Sequence, residues 1–143
     1  MQVRDLMNPI VVSITPEESA ALAARLLSRH NLGALPVCGG DGGLRGIVTD
    51  RDIVTRCVAA GRDPGRIPVS DIMSQAPETV TPDQETSTAA RKMACRQVRR
   101  LPVVEEGRVV GMVSLGDLSK CSACDMEAAA ALADISQNVR SAR

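Results

Sequence analysis

Polar and apolar positions switch between two periods along this chain, and they do so twice. Val11–Ile14 is a short apolar run suited to a strand. Thr15-Pro16-Glu17-Glu18 follows, and a threonine cap, a first-turn proline and early carboxylates predict a helix start. Ala21, Leu22, Arg25, Leu26 and Arg29 then separate into apolar and basic faces. Arg29-His30-Asn31 suits the helix end, where cations meet the negative pole of the dipole. Ala34–Cys38 and Leu44–Thr49 predict two strands joined by the glycine turn Gly39–Gly43, and a closing helix begins near Asp50. The same order returns: Thr79–Val80 as strand, Thr81-Pro82-Asp83-Gln84-Glu85 as helix start, and Ala89, Ala90, Met93 and Ala94 as helix body ending at Arg96-Gln97. The strands Arg100–Val104 and Arg108–Ser114 follow around Glu105-Glu106-Gly107, and a closing helix starts near Leu115.

The two passes are copies. Asp5, Met7, Thr15, Pro16, Ala23, Arg25, Leu35, Pro36 and Val37 recur 66 residues later as Asp71, Met73, Thr81, Pro82, Ala89, Arg91, Leu101, Pro102 and Val103. One residue dropped from the glycine turn aligns Gly46–Asp52 with Gly111–Asp117 at a shift of 65. Such a repeat fixes the architecture before any propensity is weighed. The expected fold is α/β (α+β): two β-α-β-β-α repeats with pseudo-twofold symmetry, plus a C-terminal helix. Residues 1–60 form repeat 1, 61–68 a Gly/Pro-rich linker, 69–120 repeat 2, and 121–143 a helical extension with an alanine-rich helix over Met126–Val139. Two copies of one unit also create two equivalent clefts where they meet, and ligands favour such places.

Composition narrows the function. The chain has no Phe, Tyr or Trp, so its core is aliphatic and it offers no aromatic platform for stacking bases. Formal net charge is zero, which argues against nucleic acid and anionic membrane as partners. No apolar run reaches the roughly 18 residues of a bilayer span, and the opening Met-Gln-Val-Arg-Asp-Leu is no signal peptide. The expectation is a cytoplasmic protein whose five cysteines are reduced thiols.

Asp-(Leu/Ile)-Met, Thr-Pro before a helix, Leu-Pro-Val after it and Gly-x-x-(Thr/Ser)-x-x-Asp occur in this order in both copies. From Val3 to about Lys120 the chain thereby resembles a tandem pair of CBS domains, the Bateman module. The runs at 46–54 and 97–103 are similar to those of small stand-alone bacterial CBS-pair proteins. The resemblance implies a sensor of an adenosine-containing ligand: AMP, ADP or ATP, and in some members S-adenosylmethionine or a dinucleotide. It also implies a disc-like homodimer that signals by conformational change to a separate effector protein.

The chemistry concentrates at the strand-to-helix turns. Amides at a helix start favour anions, the Thr49 hydroxyl can donate to a phosphate, and Arg51 can pair with phosphate oxygens. The Asp52 carboxylate can accept from both ribose hydroxyls. The second copy keeps Ser114 and Asp117 but has Leu115 and Gly116 in place of Asp50 and Arg51. The same spacing reads equally as two capping boxes, with Asp52 and Asp117 as the third helical residues. The resemblance places Arg99 and Arg100 beside ligand phosphates, where repeat 1 has Gly33-Ala34; the alternative is a pair of solvated strand-edge cations. It places Thr15 and Thr81 against adenine or ribose, with Ala20, Thr86, Leu32 and Val98 as walls; the alternative is capping and core packing. Its cross-pairing joins Thr15, Ala20, Leu32, Gly33 and Ala34 to Arg99, Arg100, Ser114 and Asp117, and joins Thr81, Thr86 and Val98 to Thr49, Arg51 and Asp52.

Two other readings stay open. The clefts can remain empty, which makes the chain a structural or interaction dimer. Alternatively Cys121 and Cys124 of two chains together supply the four thiolates of a metal or redox site. The bland reading of that pair is two small residues entering a helix. No nucleophile–base pair and no Gly-x-x-x-x-Gly-Lys-(Ser/Thr) loop is present, so an enzyme is not expected.

Overall fold

Helix α1 (Ala20–His30) takes Ser19 as its N-cap, not Thr15, and the Ser19 hydroxyl accepts from the Leu22 amide. This computed structural model describes residues 1–120 and 130–136. Thr15–Glu18 forms a separate turn closed by the Glu18 amide donating to the Thr15 carbonyl, and Thr81–Gln84 repeats it. The Thr-Pro signal thus marks a turn ahead of the helix. The helix starts later because its first amides find acceptors elsewhere: Ala20 N–H donates to the Ile67 carbonyl and Ala21 N–H to that of Pro64, both at 2.9 Å. The stretch read as a linker is therefore a backbone cap for α1.

The first strand expected in each copy is reduced to a single parallel bridge, Ile14 to Val37 and Val80 to Val103. β1 (Ala34–Cys38) and β2 (Leu44–Thr49) form an antiparallel hairpin with a bulge at Val37/Cys38. The short helix α2 (Asp50–Asp52) continues into a wider π turn over Ile53–Val58. β3 (Ser74–Gln75) pairs with Gly46 and Ile47 and completes a sheet of order β1-β2-β3. The second copy runs through α3 (Thr86–Arg96), β4 (Arg100–Glu105), β5 (Arg108–Ser114) and α4 (Leu115–Leu118), with β4 and β5 antiparallel. Both long helices end on a left-handed residue, Asn31 (φ 52°) and Gln97 (φ 58°), where the sequence ends them. Residues 130–136 are helical within the expected terminal helix.

The chain divides into a continuous unit, Val12–Pro77, and a discontinuous unit, Met1–Val11 with Glu78–Arg143. This division cuts across the sequence repeats. Val69 and Ile72, from the opening of repeat 2, are fully buried in the core of the continuous unit with Leu35, Val37 and Val48. Val3, from the opening of repeat 1, is fully buried in the other core with Met93, Leu101, Val103 and Val113, and Ala131 and Ile135 close that core. The backbone follows suit. Val69 N–H donates to the Glu18 carbonyl and Ser70 N–H to that of Pro16; Val3 N–H donates to Gln84 and Arg4 N–H to Pro82. Each Asp-(Leu/Ile)-Met turn is thus received by the other copy's Thr-Pro turn.

The glycine that begins each strand-to-helix motif explains the methionine. A Cβ at Gly46 would lie 2.6 Å from the Ser74 carbonyl oxygen and 2.8 Å from Met73 Sδ. A Cβ at Gly111 would lie 2.7 Å from Met7 Sδ and 3.0 Å from the Asn8 carbonyl oxygen. Only glycine leaves room for the incoming turn at both places.

Candidate functional site

The two strand-to-helix turns are built alike. In the continuous unit Thr49 Oγ1 accepts from Asp52 N–H at 3.1 Å, and Asp52 Oδ2 accepts from Thr49 N–H at 3.0 Å. In the discontinuous unit Ser114 Oγ accepts from Asp117 N–H at 3.0 Å, and Asp117 Oδ2 accepts from Ser114 N–H at 2.9 Å. Both are complete capping boxes. The amide of the first helical residue is taken by the residue ahead of the hairpin's first strand: Asp50 N–H donates to Gly33 O, and Leu115 N–H to Arg99 O. These bonds, with the pairs Ala34–Thr49 and Arg100–Ser114, bring residues 33–34 beside 49–52 and residues 99–100 beside 114–117.

The cap consumes one carboxylate oxygen and leaves the other. Asp52 Oδ1 lies 3.9 Å from Arg56 Nε, and Asp117 Oδ1 lies 3.4 Å from Lys120 Nζ. Arg56 and Lys120 were not among the residues that sequence reasoning singled out. Their spacing of four and three from an aspartate at a helix start was the available signal.

The turns differ in charge. Asp50 Oδ1 accepts from the Arg51 amide at 2.8 Å, whereas Leu115 has no acceptor to offer Gly116. Arg51 and Arg99 are exposed and Arg100 is half-buried, and none of the three guanidiniums has a polar partner among the described residues.

The remaining candidates are dispersed. Ala20 is fully buried in the core of the continuous unit, and Thr86 and Ala34 are buried as well. Leu32 and Gly33 are half-buried, Thr15 and Thr81 are exposed, and Val98 is an exposed apolar residue. The Thr81 hydroxyl donates to Asp83 Oδ1 at 2.6 Å, and this bond holds the Asp83 carboxyl below its ordinary pKa. The groupings that cross from one repeat to the other draw on residues of both units. Cys121 and Cys124 lie outside the described residues, among which no group of three His, Cys, Asp or Glu is placed to hold a metal ion. Burial is the main cause that pushes the Cys38 thiol up, so it is the less reactive protonated form that is favoured there.

A family model for the CBS domain matches residues 3–59 and 69–123. The chain belongs to the CBS-domain family. A tandem CBS pair is a regulatory module. The CBS domain-containing protein YhcV of Bacillus subtilis is 41% identical over 138 residues, 96% of this chain and 97% of its own. The crystal structure of Hypoxic Response Protein I with two coordinated zinc ions has a TM-score of 0.79 at 36% identity, covering 84% of this chain and 98% of that one. The CBS domain pair of protein MJ0100, in complex with 5′-methylthioadenosine and S-adenosyl-L-methionine, has a TM-score of 0.77 at 29% identity, covering 84% and 94%. In the CBS frame, the recurring Gly-x-x-(Thr/Ser)-x-x-Asp is the capping box together with the glycine that admits the neighbouring turn.

Proposed function

We propose that this CBS pair is a regulatory module that takes an adenosine-containing ligand at its strand-to-helix turns. The observation that carries the reading is the second carboxylate oxygen: in both copies the cap uses Oδ2 and leaves Oδ1 to a cation that is half exposed or more. A ribose diol supplies two hydroxyl donors, the complement of such an oxygen. The unpartnered guanidiniums of Arg99 and Arg100, next to Ser114, favour the discontinuous unit's turn for phosphate. The adenosine-type ligands of the MJ0100 pair support the same ligand class. AMP, ADP and ATP are the first candidates, with S-adenosylmethionine or a dinucleotide behind them. The module acts as a homodimer, and its output passes to a separate effector protein.

The test begins with the absorbance of purified protein. With no Phe, Tyr or Trp in the chain, a purine band that leaves on denaturation identifies a bound nucleotide. Calorimetry with AMP and ATP follows. Asp52→Asn and Asp117→Asn keep an acceptor for the cap and remove the charged one for the diol. Each is expected to weaken binding about tenfold or more at its own turn. Unchanged affinity in both variants overturns the assignment. A ligand-free interaction dimer is the second reading, favoured by capping boxes that are complete with protein groups alone. A flat spectrum together with no thermal shift on adding AMP, ATP or S-adenosylmethionine decides for it.

A further inference from the structure

Arg56 joins the carboxylate of the continuous unit's turn to a backbone segment sixteen residues further on. Its Nε faces Asp52 Oδ1 at 3.9 Å, while its Nη1 donates to the Ile72 carbonyl at 3.1 Å and the Met73 carbonyl at 3.3 Å. The two ends of this bridge are held differently. Asp52 is buried and fixed by its capping box. Ile72 is fully buried, and Met73 lies over Gly46. The guanidinium between them is half exposed and spans the gap. From Met73 the chain enters β3, whose residues pair with Gly46 and Ile47, and then leaves the continuous unit at Pro77.

Among the described residues the second copy shows no such connection. The residue in register with Arg56 is Cys121, which carries no cation, and Lys120 pairs with Asp117, three residues away.

We infer that Arg56 is a relay: it couples the charge on Asp52 to the seating of residues 72–75, so that the continuous unit's turn reports its occupancy to the chain that follows it. A guanidinium that donates to two carbonyls is held over them in part by the charge of the carboxylate it faces. A ligand diol that engages Asp52 Oδ1 competes with Nε for that oxygen, and the hold on the two carbonyls weakens. The ligand step rests on the nucleotide reading above; the coupling itself does not.

The test separates the two. In ligand-free protein, hydrogen exchange is followed at the Ile72 and Met73 amides, both of which donate to the Val69 carbonyl, and at Gln75 of β3. Asp52→Asn is expected to speed exchange at these sites about three- to tenfold, with Leu101 and Val103 amides unchanged as the control. Arg56→Ala is expected to do the same. In the double variant the Asp52 substitution is expected to add nothing further, because the relay is already cut. Additive effects in the double variant, or no effect of Asp52→Asn on residues 72–75, overturn the relay whatever binds. If AMP or ATP binds, wild type is expected to show faster exchange at 72–75 on saturation and Arg56→Ala to lose that response. A wild-type chain that binds no nucleotide yet shows non-additivity retains the relay and discards the nucleotide reading.

Discussion

In the continuous unit the strand-to-helix turn reads Thr49-Asp50-Arg51-Asp52 beside Gly33 and Ala34; in the discontinuous unit it reads Ser114-Leu115-Gly116-Asp117 beside Arg99 and Arg100. The bonds that shape the two are the same: a hydroxyl and a carboxylate exchanging backbone amides, and one amide given to the residue before the strand. The capping box itself needs only Ser or Thr and Asp three residues apart. The charge around them is free to move, and it has moved from the helix start in one copy to the strand start in the other. A duplicated frame can thus carry two turns of different electrostatic character at no cost to its fold.

The comparison breaks first if the two cores differ in worth. Leu35 and Leu101 occupy matching, fully buried positions. Leu35→Ala and Leu101→Ala are each expected to cost about 2–5 kcal/mol in urea unfolding, with values close to one another. A large gap between them would mean that the units do not contribute equally. The glycines come next. Gly46→Ala drives a Cβ to 2.6 Å from a carbonyl, whereas at Gly111 the nearest carbonyl is 3.0 Å away and the closer atom is the end of a flexible methionine. Each substitution is expected to cost about 1–3 kcal/mol, the former more than the latter.

Helix starts sharpen the comparison further. Ser19 caps α1 with its side chain, while Glu85 at the start of α3 does not. Ser19→Ala is expected to lower stability by about 1 kcal/mol, and Glu85→Ser to gain a smaller amount, both read from thermal midpoints. The smallest effect is on acid. Glu78, with Lys92 and Arg96 both donating to it, has its carboxyl held below the ordinary value, and the continuous unit has Val12, Leu26 and His30 at the matching positions. A depressed folded pKa gives stability that is present above the unfolded pKa of about 4.3 and is lost as pH falls through the folded value. Glu78→Gln is expected to flatten the stability–pH curve in that window and leave neutral pH nearly untouched.

Much of this was legible in the chain. The hairpins, the long helices and their ends at Asn31 and Gln97 follow from local pattern, and the capping boxes from spacing alone. The start of α1 was not, because Thr15-Pro16 carries the same residues as a cap, and what moved the start was the pair of carbonyls at Pro64 and Ile67. The same kind of distance hid the role of the Asp-(Leu/Ile)-Met turns. Their recurrence is plain in the sequence, but their acceptors lie in the other copy, where no local signal points. Among the candidate residues, Thr49, Asp52, Ser114 and Asp117 stand out by repetition, whereas Arg56 meets the carbonyls of residues 72 and 73, which any sequence supplies.

The exchange of opening turns also sets an order of assembly as the chain is synthesised. Residues 12–77 emerge as one uninterrupted stretch and hold every partner that their core needs. Residues 1–11 emerge before them and are satisfied after them: Val3 waits for Gln84, and Met7 for Gly111. On a ribosome adding about 5–20 residues per second, that wait lasts several seconds at least. During it that short segment, with Val3 and Met7 uncovered, stays unpaired on the nascent chain.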